Sequence, residues 1–132
     1  MKIKLVMDEK TAAILSRACD IIARCGMGQF KELLSLMSPE MQWDELTEIE
    51  NYLKSKLKLG LSTNSYNSMH SSKIPIESKT AWSAYQHLRR ELAYYRMGKD
   101  PSVDRRDWTT MVAVDYDEPF NAHEFTTEIE KQ

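Results

Sequence analysis

Arg89, Arg90 and Arg96 share one side of a helical stretch with Gln86, and Arg24 stands just before Gly26 and Gly28 and ahead of Gln29. Guanidinium groups so placed could hold phosphates through paired hydrogen bonds. Amide hydrogens at a helix start after a glycine bend can also point at an anion. Tyr66, Trp82, Tyr94 and Tyr95 could offer rings on which a base stacks. Gln29, Gln86 and Asn67 could read polar edges, and His70 can donate or accept a hydrogen bond. The candidate ligand-binding set is therefore Arg24, Gln29, Tyr66, Asn67, His70, Trp82, Gln86 and Arg89. The plainer reading of the same residues is ion pairing to the acidic end of the chain and ordinary aromatic packing.

Other chemistries lack their residues. His70, His87 and His123 lie far apart, no pair stands at i,i+4, and no CxxC occurs, so no metal or other cofactor is expected. The acidic run 115–118 reads as a solvated turn more readily than as a cation site. No GxSxG is present, and Cys25 beside Gly26 has no base near it in sequence. Gly26-Met27-Gly28 lacks a third glycine and follows a helical pattern, so it is no dinucleotide fingerprint. Without a general acid–base pair or a ligand cluster, the chain reads as a non-enzyme.

Size and charge narrow the class. The chain has 132 residues, 42% of them apolar, enough for one domain with a real core. No apolar run approaches the roughly 20 residues of a membrane helix, and the N-terminus turns charged within a few residues, so a cytoplasmic protein with no membrane partner is expected. Cys19 and Cys25 would project from different sides of one helix, which makes a mutual disulfide improbable. A net charge of −2 argues against direct nucleic-acid binding. The charge is uneven: residues 79–107 carry seven Lys/Arg against four Asp/Glu, and residues 115–132 carry six Asp/Glu against one Lys.

The elements that must position the candidate residues follow from periodicity. In 77–98, Ala81, Tyr85, Leu88, Leu92 and Tyr95 step by four and three, the stripe of an α-helix, with Pro75 before it and Gly98 to end it. Residues 2–7 alternate and predict a strand with Ile3, Leu5 and Met7 inward. Asp8 predicts a cap for a helix running to about Cys25, with Ala12, Leu15, Ala18, Cys19 and Ile22 on one face. A short helix is expected after Gln29. A third carries Trp43, Leu46, Ile49, Leu53 and Leu57 inward, capped by Asp44 or Ser38, with Glu50 and Lys54 pairing on its wet side. Residues 61–74, rich in serine and asparagine, predict a long loop. Residues 109–116 predict a second strand. Together these give an α+β domain over 1–120, mainly helical, with a small antiparallel sheet of the N- and C-terminal strands, and an acidic tail over 121–132. So small a sheet implies a homodimer or higher homo-oligomer.

Arg24-Cys25-Gly26-Met27-Gly28-Gln29-Phe30, followed by Ala81-Trp82 and Tyr85-Gln86 with Arg89 and Leu92-Ala93, resembles small proteins encoded by bacteriophages and prophages. Those carry an RxGMGQF turn, an A-W/Y-x-x-Y-Q-x-x-R-x-x-L-A helix and a late VDFDEP segment, matched here by Val114-Asp115-Tyr116-Asp117-Glu118-Pro119. The resemblance implies a phage accessory protein of the infected cell. Two functions are consistent with it. In one, the protein sequesters a small anionic, nucleotide-derived host immune signal. In the other, it inhibits a host defence protein by docking, in the manner of an anti-CRISPR or a nucleic-acid mimic, through its acidic tail.

Overall fold

A computed structural model describes residues 3–99, which form four helices in chain order: α1 (Glu9–Gly26), α2 (Lys31–Met37), α3 (Trp43–Lys56) and α4 (Ile76–Lys99). The expected α+β architecture is corrected on this point, because no strand or sheet occurs among the described residues. Residues 3–7 run outside any ladder, with Ile3, Leu5 and Val6 at 77%, 70% and 80% exposure. Strand preference reflects packing on a pleated surface more than a backbone tendency, and among the described residues this alternating segment has no neighbouring strand to hold it in a sheet. The expected partner strand 109–116, the acidic turn 115–118 and the tail 121–132 lie outside the described residues, as do the side chains of Tyr94 and Arg96.

Helix α1 starts where its sequence says it should. The Asp8 carboxylate accepts from the Thr11 amide at 2.8 Å, and Thr11, through its side chain first and this amide second, holds the Asp8 carboxyl below its usual pKa. Its end is a paired-bond stop. Gln29 N–H donates to the Arg24 carbonyl at 2.9 Å, and Gly28 N–H donates to the Cys25 carbonyl at 3.1 Å. Gly28 carries φ +86° between them, the left-handed conformation that this cap requires.

Helix α3 ends by the same device with a worse residue. Leu59 N–H reaches the Lys54 carbonyl and Lys58 N–H the Ser55 carbonyl, both at 3.2 Å, with Lys58 at φ +53°. A Cβ in that region costs about 1–2 kcal/mol. Lys58→Gly is therefore expected to stabilise the chain by about 1 kcal/mol, measured as a higher urea midpoint at unchanged slope. An unchanged or lower midpoint would contradict it.

The core lies between α1 and α4. Ala23, at 0% exposure, packs with Met27 and Ala81, and Met69 and Ile74 of the loop close the same cluster. Cys19 and Trp82 flank it, half-buried. Ser78 on α4 donates from Oγ to the Ile22 carbonyl at 3.2 Å, which ties the two helices at one end. Ala18 and Ile22, expected on the inner face of α1, are exposed. α4 is buried more widely than one stripe: Ser83, Gln86 and His87 are buried along with Ala81, Ala84 and Leu88. Gly98 lies inside the last turn and does not end the helix.

The inner line of α3 differs from the apolar one its spacing suggests. Leu46, Glu50 and Lys54 face inward, while Trp43 and Leu57 are exposed. The pairing of Glu50 with Lys54 is present, but its expected place on the wet side is overturned. The cap residue is Gln42, with no side-chain bond, in place of Asp44 or Ser38.

Candidate functional site

The reason for the inward Glu50 is in α2. That helix opens on Phe30, which has no side-chain oxygen to cap it, so its first amide hydrogens have no local acceptor. Glu50 supplies one from α3: its Oε2 accepts from Phe30 N–H at 2.7 Å and from Lys31 N–H at 3.1 Å. A carboxylate at a helix start is also favoured by the helix dipole. Its other oxygen accepts from the Tyr66 hydroxyl at 2.9 Å. That oxygen lies 3.7 Å from Lys54 Nζ and 3.8 Å from Lys31 Nζ. Lys54, at 2% exposure, donates to the Ser65 carbonyl at 2.8 Å and lies 4.1 Å from the Tyr66 ring centre. Burial first, then the Glu50 hydrogen bond and charge, push the Tyr66 hydroxyl above its usual pKa. This network fastens the loop 61–74 onto α3 and the start of α2. Its sequence signal was available: an uncapped α2 implies an acceptor from elsewhere.

A second cluster forms where α1, the glycine bend and α4 meet. Arg24 Nε donates to Asp20 Oδ1 at 2.9 Å, and Arg24 Nη1 donates to Gln29 Oε1 at 2.8 Å. Arg89 comes across from α4, near enough to Asp20 to act on its charge. Burial raises the Asp20 carboxyl above its usual pKa, and Glu32 adds to the rise. Arg24 and Arg89 act the other way. The Arg89 guanidinium sits 5.7 Å from the Tyr85 ring centre, and Tyr85 lies 5.7 Å from Trp82 at a 48° tilt. A half-buried carboxylate paired to one guanidinium group, with a second within charge range and an aromatic pair beside that second one, is what this corner offers a ligand.

Of the sequence-predicted residues, Arg24 and Gln29 are bonded to one another beside Asp20, Arg89 lies within charge range of that carboxylate, and Trp82 stands by Arg89 through Tyr85. Gln86 is buried on α4 at 4% exposure. Asn67 ties the loop to the bend through its backbone, donating to the Met27 carbonyl at 3.0 Å. Tyr66 turns its hydroxyl to Glu50 instead of this corner. His70 is exposed on the loop, its amide donating to Ser68 Oγ at 3.3 Å. Asp20, Glu50 and Lys54 were missed by the sequence reading as site residues.

An open depression of about 470 Å³ over Glu9, Lys10, Ala13, Ile14 and Arg17 lies on α1 alone and includes none of the predicted residues. Among the described residues no group of three or more His, Cys, Asp or Glu side chains could hold a metal ion. No helix among them is long and apolar enough to cross a membrane. Comparison with protein-family models, with curated proteins and with solved structures finds no match to the chain.

Proposed function

We propose that this chain is a non-enzymatic phage accessory protein that captures a small anionic, nucleotide-derived host signal at the corner of α1, the glycine bend and α4. One observation carries the reading: Arg24 is held between Asp20 and Gln29 at the glycine bend, and Arg89, far off in sequence, comes within charge range of the same Asp20. Gln29 fixes the Arg24 fork from its other side, so little ordering remains when a ligand arrives. A phosphate can take the place of the Asp20 carboxylate on Arg24, with more acceptor oxygens and more charge for Arg89 to attract. Tyr85 and Trp82 give a base somewhere to stack. The resemblance of the bend and helix motifs to phage-encoded proteins supports the counter-defence setting.

The test is calorimetry of the full chain against cyclic dinucleotides and ADP-ribose. Binding is expected, weakened about tenfold or more by Arg89→Gln or Arg24→Gln, since one charge-assisted bond is worth about 1.5–3 kcal/mol. Asp20→Asn removes the competing carboxylate and should tighten binding. Lower pH should act in the same direction. The Asp20 carboxyl is held by burial above the usual carboxylate range, so protonation on descent through that raised value frees Arg24 and lifts the competing charge from Arg89. Its effect on stability has the same sign: it is fully present below the unfolded value and lost as pH rises through the folded one. A panel with no heat, or binding indifferent to both arginines, would remove the proposal.

A further inference from the structure

The corner where α2 meets α3 exposes three large apolar side chains together with a run of acids. Leu36, Met37 and Trp43 are 51%, 72% and 66% exposed. Residues 36–49 hold four acids, Glu40, Asp44, Glu45 and Glu48, and no Lys or Arg. All four acids are exposed. Trp43 is not loose on this surface: Lys31 Nζ lies 4.1 Å from its ring centre, and Lys31 is itself held near Glu50. The buried network therefore presents one face of a tryptophan outward.

Exposed tryptophan, methionine and leucine inside a charged border is the composition of a protein-binding hot spot. The sign of the border selects the occupant. Four exposed acids repel nucleic acid and an anionic lipid surface. A second copy docking by the same face would set these acids against their own equivalents, which is costly in an isologous contact. We infer that the α2–α3 corner is a docking surface for a partner protein that presents an apolar strip bordered by Lys and Arg, with Trp43 as the anchor. This surface is built from residues other than the Arg24–Arg89 corner and stands without it.

The probe is a helical amphipathic Leu/Lys peptide, titrated into the full chain and followed by calorimetry, with a Leu/Glu peptide of equal length as control. The Leu/Lys peptide should bind and the Leu/Glu peptide should not. Trp43→Ala should weaken binding about tenfold or more. Reversing Glu40, Asp44 and Glu45 to Lys together should switch preference to the Leu/Glu peptide. Glu77→Lys, on α4, and Arg24→Gln should leave affinity unchanged. Trp43 is exposed, so Trp43→Ala should fold, checked by circular dichroism. Equal binding of both peptides, an effect of Glu77→Lys as large as that of Trp43→Ala, or self-association that Trp43→Ala abolishes would each overturn the assignment.

Discussion

Glu50→Ala is expected to destabilise the chain by about 3–5 kcal/mol, the range for stripping one partner from a buried ion pair. Domains of this kind have about 5–15 kcal/mol in all, so the variant should be largely unfolded when warmed. The size follows from what is left behind. Phe30 N–H loses a 2.7 Å acceptor and Lys31 N–H a 3.1 Å one, which uncaps α2. Lys54, 2% exposed, is left with the Ser65 carbonyl and the Tyr66 ring in place of a carboxylate. The Tyr66 hydroxyl loses its acceptor as well. Each orphaned buried group carries a desolvation cost of about 1–3 kcal/mol, and the costs overlap because the groups share one acceptor.

Two companions separate charge from capping. Glu50→Gln preserves the shape but turns one oxygen into a donor, which must then face Phe30 N–H on one side or Tyr66 and Lys54 on the other. It should rescue little. Lys54→Met added to Glu50→Gln removes the stranded cation and should recover part of the loss, a coupling of about 0.5–3 kcal/mol. Urea unfolding monitored by far-ultraviolet circular dichroism reads all of these. A loss below about 1 kcal/mol for Glu50→Ala would mean that the network behaves like an exposed pair. Ultraviolet titration gives an independent check. Tyr66 should ionise above the usual tyrosine range in the parent chain and move down when Glu50 is removed. Because its pKa is raised on folding, Tyr66 contributes stability fully below its unfolded value, and the contribution is lost as pH climbs through the folded one.

The local signals in this sequence survive where the physics is local. Asp8 caps α1 because an aspartate three residues from the first free amide needs nothing else. The Arg24–Gln29 contact is likewise readable, since both flank the glycine bend that folds one toward the other. Glu50 and Lys54 mark the limit. An i,i+4 Glu–Lys pair looks the same in sequence whether water or protein surrounds it. Its burial is decided by an uncapped helix twenty positions back and a loop carbonyl arriving from Ser65. Residues 3–7 failed for a related reason: alternation specifies a face, but a ladder also needs a neighbour. Arg89 joins Asp20 only because α1 and α4 pack along one another, a register that neither helix states alone.

That register depends on a missing side chain, and Gly26→Ala should expose it. A Cβ on Gly26 would run into both Oγ and Cβ of Ser78, with Pro75 Cδ at 3.6 Å behind them. The hydroxyl can rotate away, but Ser78 Cβ is fixed to the α4 backbone, so the helices themselves must separate. Alanine improves helix propensity by at most about 1 kcal/mol. Forced overpacking costs about 1–3 kcal/mol and occasionally more, and here it comes with loss of the Ser78–Ile22 bond. A net loss of about 2–3 kcal/mol is expected, read as a lower melting temperature. Ser78→Ala in the Gly26→Ala background removes the hydroxyl and leaves the Cβ, so it should rescue little. Ser78→Gly removes both and should restore much of the stability, despite the cost of a glycine in α4. Equal rescue by the two would place the clash at the hydroxyl and leave the helix spacing free to adjust. Arg24 stands two positions before Gly26, so widening the α1–α4 gap also carries its guanidinium away from Arg89. Gly26→Ala should then weaken the proposed nucleotide capture beyond its effect on stability, and Ser78→Gly should return both together, because the same crossing that closes the core carries both arginines.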